Sequence, residues 1–161
     1  MRVLYTAFKG NTNSSKLLLD YINGYDKLYL TNSYETSVKE LKRTLEKNNY
    51  DFIISLGQSQ LNMDTIKIET VATDIKELKT KYDYNYLKSK LENKYKVIVS
   101  SDCGKYLCNN IYYYGLKYIK ENQLKTKMVF IHIPKKDKIS DFEVLAEYLT
   151  IYKLEEIKND R

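Results

Sequence analysis

The stretch Met128-Val129-Phe130-Ile131-His132-Ile133-Pro134 decides the fold class that the sequence predicts. It is apolar at nearly every consecutive position, which is typical of a strand that helices cover on both faces of a sheet. Pro134 holds the residue before it in extended geometry and then ends the strand. Val129 to Ile133 is therefore predicted to be a strand buried on both faces.

Four further runs of strand length alternate with segments whose apolar residues recur at helical spacing. The predicted strands are Val3 to Thr6, Lys27 to Leu30, Phe52 to Leu56 and Val97 to Ser100. The predicted helices are Ser14 to Ile22, Val38 to Lys47, Tyr86 to Lys94, Tyr106 to Glu121 and Val144 to Ile157, the last with Ser140 or Asp141 as its cap. This alternation predicts an α/β fold, with one three-layer domain over residues 1–161, a mainly parallel sheet, and helices on both faces.

Composition narrows the function classes. The net charge is +6, but three of the 27 cationic residues are arginines, and acidic residues accompany the lysines along most of the chain. Because arginine is the usual residue for phosphate and base-edge contacts, a nucleic-acid partner is disfavoured. No apolar run approaches the length of a membrane span, and two nearby cysteines do not form a disulfide framework. We expect a cytoplasmic protein that contacts neither nucleic acid nor membrane.

Reactive residue types gather where the predicted strands end. In open α/β sheets, sites form outside the carboxyl ends of the strands. The segments at those ends are Ala7-Phe8, Gly57-Gln58, Ser101 to Gly104, and His132 to Pro134. His132 lies in this set, and Cys108 follows one of these segments closely.

Cys108 is a candidate nucleophile. It lies in Gly104-Lys105-Tyr106-Leu107-Cys108-Asn109, and Gly104 permits a tight turn into the predicted helix. Free N–H groups and the dipole in the first turn of a helix favour a thiolate, and lower a thiol pKa from about 8.5 toward neutrality. The same N–H groups could receive an oxyanion. The alternative is an inert, buried cysteine.

Cys103, in the turn before the helix, is predicted to be a small buried residue. A regulatory disulfide with Cys108 is conceivable, although loop-to-helix geometry must meet a narrow distance window. Two cysteines with a single histidine fall short of a zinc set, so no metal is predicted.

His132 is the only histidine, and it follows Cys108 by 24 residues. Its imidazole has the basicity that a thiol nucleophile needs beside it. The alternative is a core histidine bonded to backbone. A third group should orient the ring, and Glu69 is a candidate because it stands in a short apolar alternation after Gly57-Gln58. The alternative for Glu69 is an exposed carboxylate at a strand edge.

These segments together resemble pyroglutamyl peptidase I, a family of cytosolic cysteine peptidases. Gly104-Lys105-Tyr106-Leu107-Cys108-Asn109 is similar to the family's Gly-Thr-Tyr-Leu-Cys-Asn. Phe130-Ile131-His132-Ile133-Pro134 is similar to its Phe-Ile-His-Val-Pro, and Ile66 to Ala72 to its Ile-x-x-Glu-x-x-Ala. Thr6-Ala7-Phe8 and Gly57-Gln58 are similar to its Thr-Gly-Phe and Gly-Gln. Three separated motifs in the same order, each with a reactive residue, make the resemblance specific.

The resemblance implies a cysteine peptidase that removes an N-terminal pyroglutamyl or related small acyl group through Cys108, His132 and Glu69. The substrate is then a peptide with a blocked N-terminus, no cofactor or metal is needed, and a homo-oligomer is plausible. The acyl pocket would be lined by Phe8, Gln58, Tyr106 and Leu107.

The sequence also departs from the family. Lys9-Gly10-Asn11 replaces Pro-Phe-Gly-Gly, so Phe8 lacks the second phenylalanine that is expected to hold the pyrrolidone ring. The Gly-Gly-Arg after the family's Gly-Gln is replaced by Ser59-Gln60-Leu61-Asn62, and a longer segment after the glutamate is reduced to Thr73 to Asp83. The alternative hypothesis is therefore a non-catalytic relative that acts as a binding or interaction domain.

Overall fold

The computed structural model of the chain describes residues 2–159, and its central feature is a six-stranded sheet accompanied by a two-stranded hairpin. The strands are β1 (Val3–Phe8), β2 (Asp26–Leu30), β3 (Phe52–Gln58), β4 (Thr65–Glu69), β5 (Val71–Thr73), β6 (Glu77–Lys79), β7 (Lys96–Ser100) and β8 (Lys127–Ile133). The helices are α1 (Ser14–Tyr21), α2 (Tyr34–Lys47), α3 (Tyr84–Leu91), α4 (Leu107–Glu121) and α5 (Phe142–Asn159), with a short 3₁₀ turn at Lys136–Lys138. The ends of the predicted domain, residues 1, 160 and 161, lie outside the described residues.

The sheet has the order β2-β1-β3-β8-β4-β7. Four of its five neighbouring pairs are parallel, and the pair β8–β4 is antiparallel. The prediction of an α/β fold with a mainly parallel sheet is confirmed. β4 and β5–β6 were not among the predicted strands, because their runs are short and interrupted by charged residues.

The antiparallel pair corrects one expectation. Since β7 is parallel to β4, it runs opposite to β8, and its carboxyl end lies at the other edge of the sheet from that of β8. The expectation that β7, which leads into Ser101 to Gly104, ends at the same edge of the sheet as β8 is therefore wrong. The chain has to travel back along the sheet face between the end of β7 and the start of α4.

The two faces of the sheet are covered by different helices, as the three-layer prediction required. One apolar cluster joins the sheet to α1, α3 and α5, and the other joins it to α2 and α4. Fully buried strand residues such as Tyr5 and Ile54 pack in the first cluster, and Ile53 and Phe130 pack in the second. β8 lies between these layers with six of its seven residues buried.

Capping side chains set the starts of several helices. Ser33 accepts a hydrogen bond from the Thr36 N–H, so α2 begins at Tyr34, four residues before the predicted start. Asp141 accepts one from the Val144 N–H at 3.0 Å and caps α5. Ser140, the other predicted cap, bonds to Asp64 instead. Each such cap is worth about 1 kcal/mol.

β7 is less buried than β8. Ile98 and Val99 are each 39% exposed, because β7 is the edge strand of the sheet. Within residues 2–159, no helix combines the length and the apolar character that crossing a membrane requires.

Candidate active site

Glu69 and His132 form a buried pair across the antiparallel strands β4 and β8. His132 is the register partner of Lys67, and Phe130 is that of Glu69, so these four residues share one face of the sheet. His132 Nδ1 lies 2.9 Å from Glu69 Oε1. Glu69 is fully buried and His132 is 6% exposed. A neutral imidazole that donates Nδ1–H to this carboxylate keeps a lone pair on Nε2, which is the arrangement of a general base with its orienting acid.

This geometry excludes the exposed position of Glu69 and the backbone-only bonding of His132 that the sequence left open as alternatives. Glu69 is not an exposed strand-edge carboxylate, because β4 lies between β8 and β7. His132 is not held by backbone alone, since its ring bonds to a carboxylate. The expected pairing of these two residues is confirmed as a contact.

Lys67 is a member of this cluster that sequence reasoning missed. Its Nζ lies 3.4 Å from Glu69 Oε1, and its side chain is 26% exposed. The ammonium offsets the charge of a carboxylate that the protein has removed from water. Period-two spacing from Glu69 along a strand was the available signal, but it required β4 to be recognised first.

Cys108 reaches the same face of the sheet through α4. The hydroxyl of Tyr112, one turn later in α4, donates to the Glu69 backbone carbonyl at 2.8 Å and holds the helix against β4. The Asn109 amide makes two bonds with the backbone of Thr73, donating at 2.7 Å and accepting at 3.0 Å. These contacts fix the first turn of α4, and therefore Cys108, over the end of the sheet.

Gly57 lets the sulfur approach the strand beside His132. Gly57 is the register partner of His132 on β3. A β-carbon at residue 57 would lie 2.8 Å from Cys108 Sγ and 2.7 Å from the Phe130 ring, both closer than van der Waals contact allows. The Phe130 and His132 rings in turn lie 4.9 Å apart between centroids. The Cys108 sulfur therefore lies over the strand next to the one that carries the imidazole.

The start of α4 offers backbone donors at this point. Tyr106 is the N-cap and provides no side-chain cap, and the first intrahelical bond is from the Asn110 N–H to the Tyr106 carbonyl at 3.0 Å. The N–H groups of residues 107–109 precede that bond and have no partner within the helix. Such groups favour a developing negative charge.

The expectation that the pKa of the Cys108 thiol is lowered is wrong. Burial, and after it the negative charge of Glu69, raises the pKa of the Cys108 thiol to about 12. The thiol is therefore protonated at neutral pH, and a base must take its proton when substrate is present.

A pH profile of alkylation checks this directly. We expect iodoacetamide to react slowly with Cys108 at pH 7 in Cys103→Ala protein, because the thiolate is the reactive form. A raised pKa keeps the thiol neutral to higher pH, so the rate should still climb at about pH 10, whereas the rate for a free thiol is half-maximal at about pH 8.5 and has levelled by then. A plateau below pH 8, measured by mass spectrometry, would instead reveal a resting thiolate.

Cys103 is buried, as predicted, but it lies beside Glu69 and His132, which its sequence context did not predict. One ligand atom of each of Glu69, Cys103 and His132 lies within 4.8 Å of the other two. Cys103 is 7% exposed, and burial, followed by the charge of Glu69, raises the pKa of its thiol well above the ordinary range. Both thiols are free, so the conceivable disulfide is not formed.

The residues expected to line an acyl pocket have different environments. Phe8 is 4% exposed and packs in the core, whereas Tyr106 is 77% exposed. Gln58 and Leu107 are half-buried, and Gln58 Oε1 accepts a hydrogen bond from the Ser14 N–H at 2.9 Å. Of these four, Tyr106 borders an open cleft of about 570 Å³ beside the start of α4, which is also lined by Asp74, Asp102, Gly104 and Asn109.

Comparisons with known proteins agree on one family. No family model matches the chain. In an alignment of 169 positions, gaps included, the chain is 30% identical to the pyrrolidone-carboxylate peptidase of Thermosipho melanesiensis. The alignment covers 83% of each protein. In an alignment of 168 positions, gaps included, it is 29% identical to pyrrolidone-carboxylate peptidase 1 of Caldanaerobacter subterraneus. This alignment covers 83% of this chain and 82% of that protein.

Solved structures show the same fold. The pyrrolidone carboxyl peptidase of Fervidobacterium islandicum superimposes with a TM-score of 0.83 at 22% identity, over 99% of both chains. Pyroglutamyl peptidase I of Bacillus amyloliquefaciens superimposes with a TM-score of 0.82 at 21% identity, over 94% of this chain and 92% of that chain.

Proposed function

The chain belongs to the pyrrolidone-carboxylate peptidase family, and on this premise we propose that it is a cysteine peptidase that removes an N-terminal pyroglutamyl group from peptides. The observation that carries the proposal is the buried Glu69–His132 pair, joined at 2.9 Å on the sheet face over which Cys108 lies in the first turn of α4. The proposed substrate is a peptide whose N-terminus is blocked by the lactam. A homo-oligomer and a cytoplasmic location stay predictions.

In the proposed first step, Cys108 attacks the pyroglutamyl carbonyl. His132 Nε2 takes the thiol proton as the carbon–sulfur bond forms, and Glu69 stabilises the resulting imidazolium through Nδ1. The carbonyl oxygen becomes an oxyanion, which the N–H groups of residues 107–109 receive. A concerted proton transfer is required because the resting thiol is protonated.

The second half of the reaction restores the enzyme. The carbon–nitrogen bond breaks, and the imidazolium returns its proton to the departing amine, leaving a thioester on Cys108. His132 then removes a proton from water, which attacks the thioester; the carbon–sulfur bond breaks, the imidazolium returns that proton to the Cys108 sulfur, and pyroglutamate is released.

Three features favour Cys108 over Cys103 as the nucleophile. Cys108 is half-buried, whereas Cys103 is 7% exposed, so an incoming carbonyl reaches Cys108 more readily. Cys108 is the second residue of α4 and has backbone donors beside it, but Cys103 lies in the preceding loop. Cys108 also occupies the cysteine position of the family motif.

A non-catalytic binding role is the second candidate, and the position of Phe8 favours it. Phe8 packs in the core at 4% exposure, and the following Lys9-Gly10-Asn11 supplies no second aromatic ring to hold a lactam. A relative with this arrangement could retain the buried pair and lose the acyl pocket.

Turnover of two matched amides separates these functions. We expect the protein to hydrolyse a fluorogenic pyroglutamyl amide with a kcat/KM at least about 100-fold above that for the corresponding prolyl amide, because the prolyl ring lacks the lactam carbonyl that a complementary site would bond. Release of the fluorophore at the rate of a protein-free control for both amides would contradict the peptidase and leave the binding role.

A further inference from the structure

Three different donor groups converge in one buried place, and the proposed mechanism uses two of them. A carboxylate oxygen of Glu69, the sulfur of Cys103 and a ring nitrogen of His132 lie within 4.8 Å of one another. All three residues are at least nine-tenths buried. Cys103 has no role in the peptidase mechanism, although it contributes a thiol to the same spot.

A second, independent observation concerns the other oxygen of the carboxylate. Glu69 Oε1 contacts His132 and Lys67, but the fully buried Oε2 has no hydrogen-bond partner among residues 2–150, whose side chains the structure describes. Buried carboxylate oxygens are normally satisfied by a donor or a cation, so an orphaned one calls for an explanation. A bound cation would supply it.

The donor set selects the kind of cation. Thiolate sulfur, imidazole nitrogen and carboxylate oxygen are the ligands of Zn²⁺ in proteins, whereas Mg²⁺ and Ca²⁺ prefer oxygen alone. With bonds of about 2.0 to 2.3 Å, tetrahedral zinc holds its ligand atoms about 3.3 to 3.8 Å apart. The three ligand atoms are at present up to 4.8 Å apart, so side-chain movements of about 1 Å would bring them to the distances that zinc requires.

We propose that Glu69, Cys103 and His132 bind a thiophilic divalent cation, best matched by Zn²⁺, and that the bound ion switches the peptidase off. The thiol proton leaves to solvent as the sulfur–metal bond forms, and the flexible Lys67 ammonium moves away from the carboxylate. The ion then holds the imidazole and the carboxylate that proton transfer requires. Inhibition rests on the proposed function, but metal binding does not.

Cobalt provides the probe, because Co²⁺ occupies zinc sites and a cobalt–thiolate bond absorbs in the near ultraviolet. We expect the reduced, chelator-treated full chain to bind one Co²⁺ with this charge-transfer band, and Zn²⁺ to displace it. Cys103→Ala should lose the band, with an affinity at least about 100-fold weaker, because even groups that only support a ligand contribute 10- to 100-fold. Cys108→Ala is the matched control and should keep the band.

The outcomes separate the metal site from the peptidase. Absence of the band in the wild type, or its retention in Cys103→Ala, would overturn the site. Cys103→Ser preserves the volume of the side chain and replaces Cys103→Ala if circular dichroism shows that the alanine variant does not fold. In active protein, Zn²⁺ should inhibit the wild type and spare Cys103→Ala at the same concentration. A wild type that binds Co²⁺ but hydrolyses no pyroglutamyl amide would contradict the proposed function and leave the metal site standing.

Discussion

Cys108→Ala is expected to lower kcat/KM for a pyroglutamyl amide by at least about 10⁴-fold, because loss of a covalent nucleophile removes the whole acyl-transfer route. The substitution also removes a sulfur that packs against Gly57 and Phe130, so its folding should be checked by thermal unfolding. Steady-state hydrolysis of the fluorogenic amide measures the effect.

Cys103→Ala is the matched control for that measurement. It removes the other buried thiol, at a cost of about 1 kcal/mol in the free energy of unfolding, and leaves the proposed nucleophile in place. We expect its kcat/KM to stay within about threefold of the wild type, since Cys103 takes no part in the proposed proton transfers. Equal losses in the two variants would mean that the thiols act through packing, and a larger loss in Cys103→Ala would reverse their roles.

Glu69→Gln should lower kcat/KM by about 10³-fold or more, because a neutral amide neither selects the productive tautomer of His132 nor stabilises its imidazolium. In the proposed mechanism the carboxylate accepts from Nδ1–H and so leaves Nε2 as the proton acceptor. A glutamine NH₂ directed at Nδ1 would donate to it and drive the proton to Nε2, where it blocks the base.

A spectroscopic readout separates this effect from a general loss of structure. His132 is the only histidine, so the two ring nitrogens give one pair of ¹⁵N signals in a labelled sample. We expect the wild type to carry its proton on Nδ1 and Glu69→Gln to carry it on Nε2. Glu143→Gln, an exposed carboxylate in the first turn of α5, should change neither the tautomer nor the rate. A wild type protonated on Nε2 would contradict the proposed role of Glu69.

The layered fold was predictable because its signals are local. The apolar run that becomes β8 and the periodic segment that becomes α4 each carry their own pattern, and their alternation implies a covered sheet. Strand direction has no such signal. The reversal of β4 and β7 depends on β4 pairing antiparallel with β8, which is a property of the whole sheet.

The site was predictable in its residue types and only partly in its arrangement. Glu69 and His132 were expected to meet, but their buried contact depends on the diagonal relation of the two residues across the antiparallel pair. The reversal of β7 also explains why Cys103 lies beside Glu69 and His132. The chain from the end of β7 to the start of α4 passes back over the sheet face that carries these two residues. Nothing in Ser101 to Gly104 itself indicates that path.

The thiol pKa shows how two physical effects compete. A helix start stabilises a nearby negative charge by about 0.3 to 1 kcal/mol in most settings. Burial beside an existing carboxylate acts in the opposite direction, and for Cys108 it outweighs the helix. The sequence places Cys108 at the helix start but does not reveal that Glu69 lies close enough to repel a thiolate.

The proposed function requires that the Cys108 sulfur form the thioester with the pyroglutamyl group, with the Glu69–His132 pair as its base. A chloromethyl ketone carrying that group, followed by peptide mapping with mass spectrometry, identifies the reacting sulfur. We expect one adduct per chain, on Cys108, that forms at an undiminished rate in Cys103→Ala and far more slowly in His132→Ala. An adduct on Cys103 would contradict this role of Cys108. So would slow labelling of both thiols at equal rates that do not change in His132→Ala.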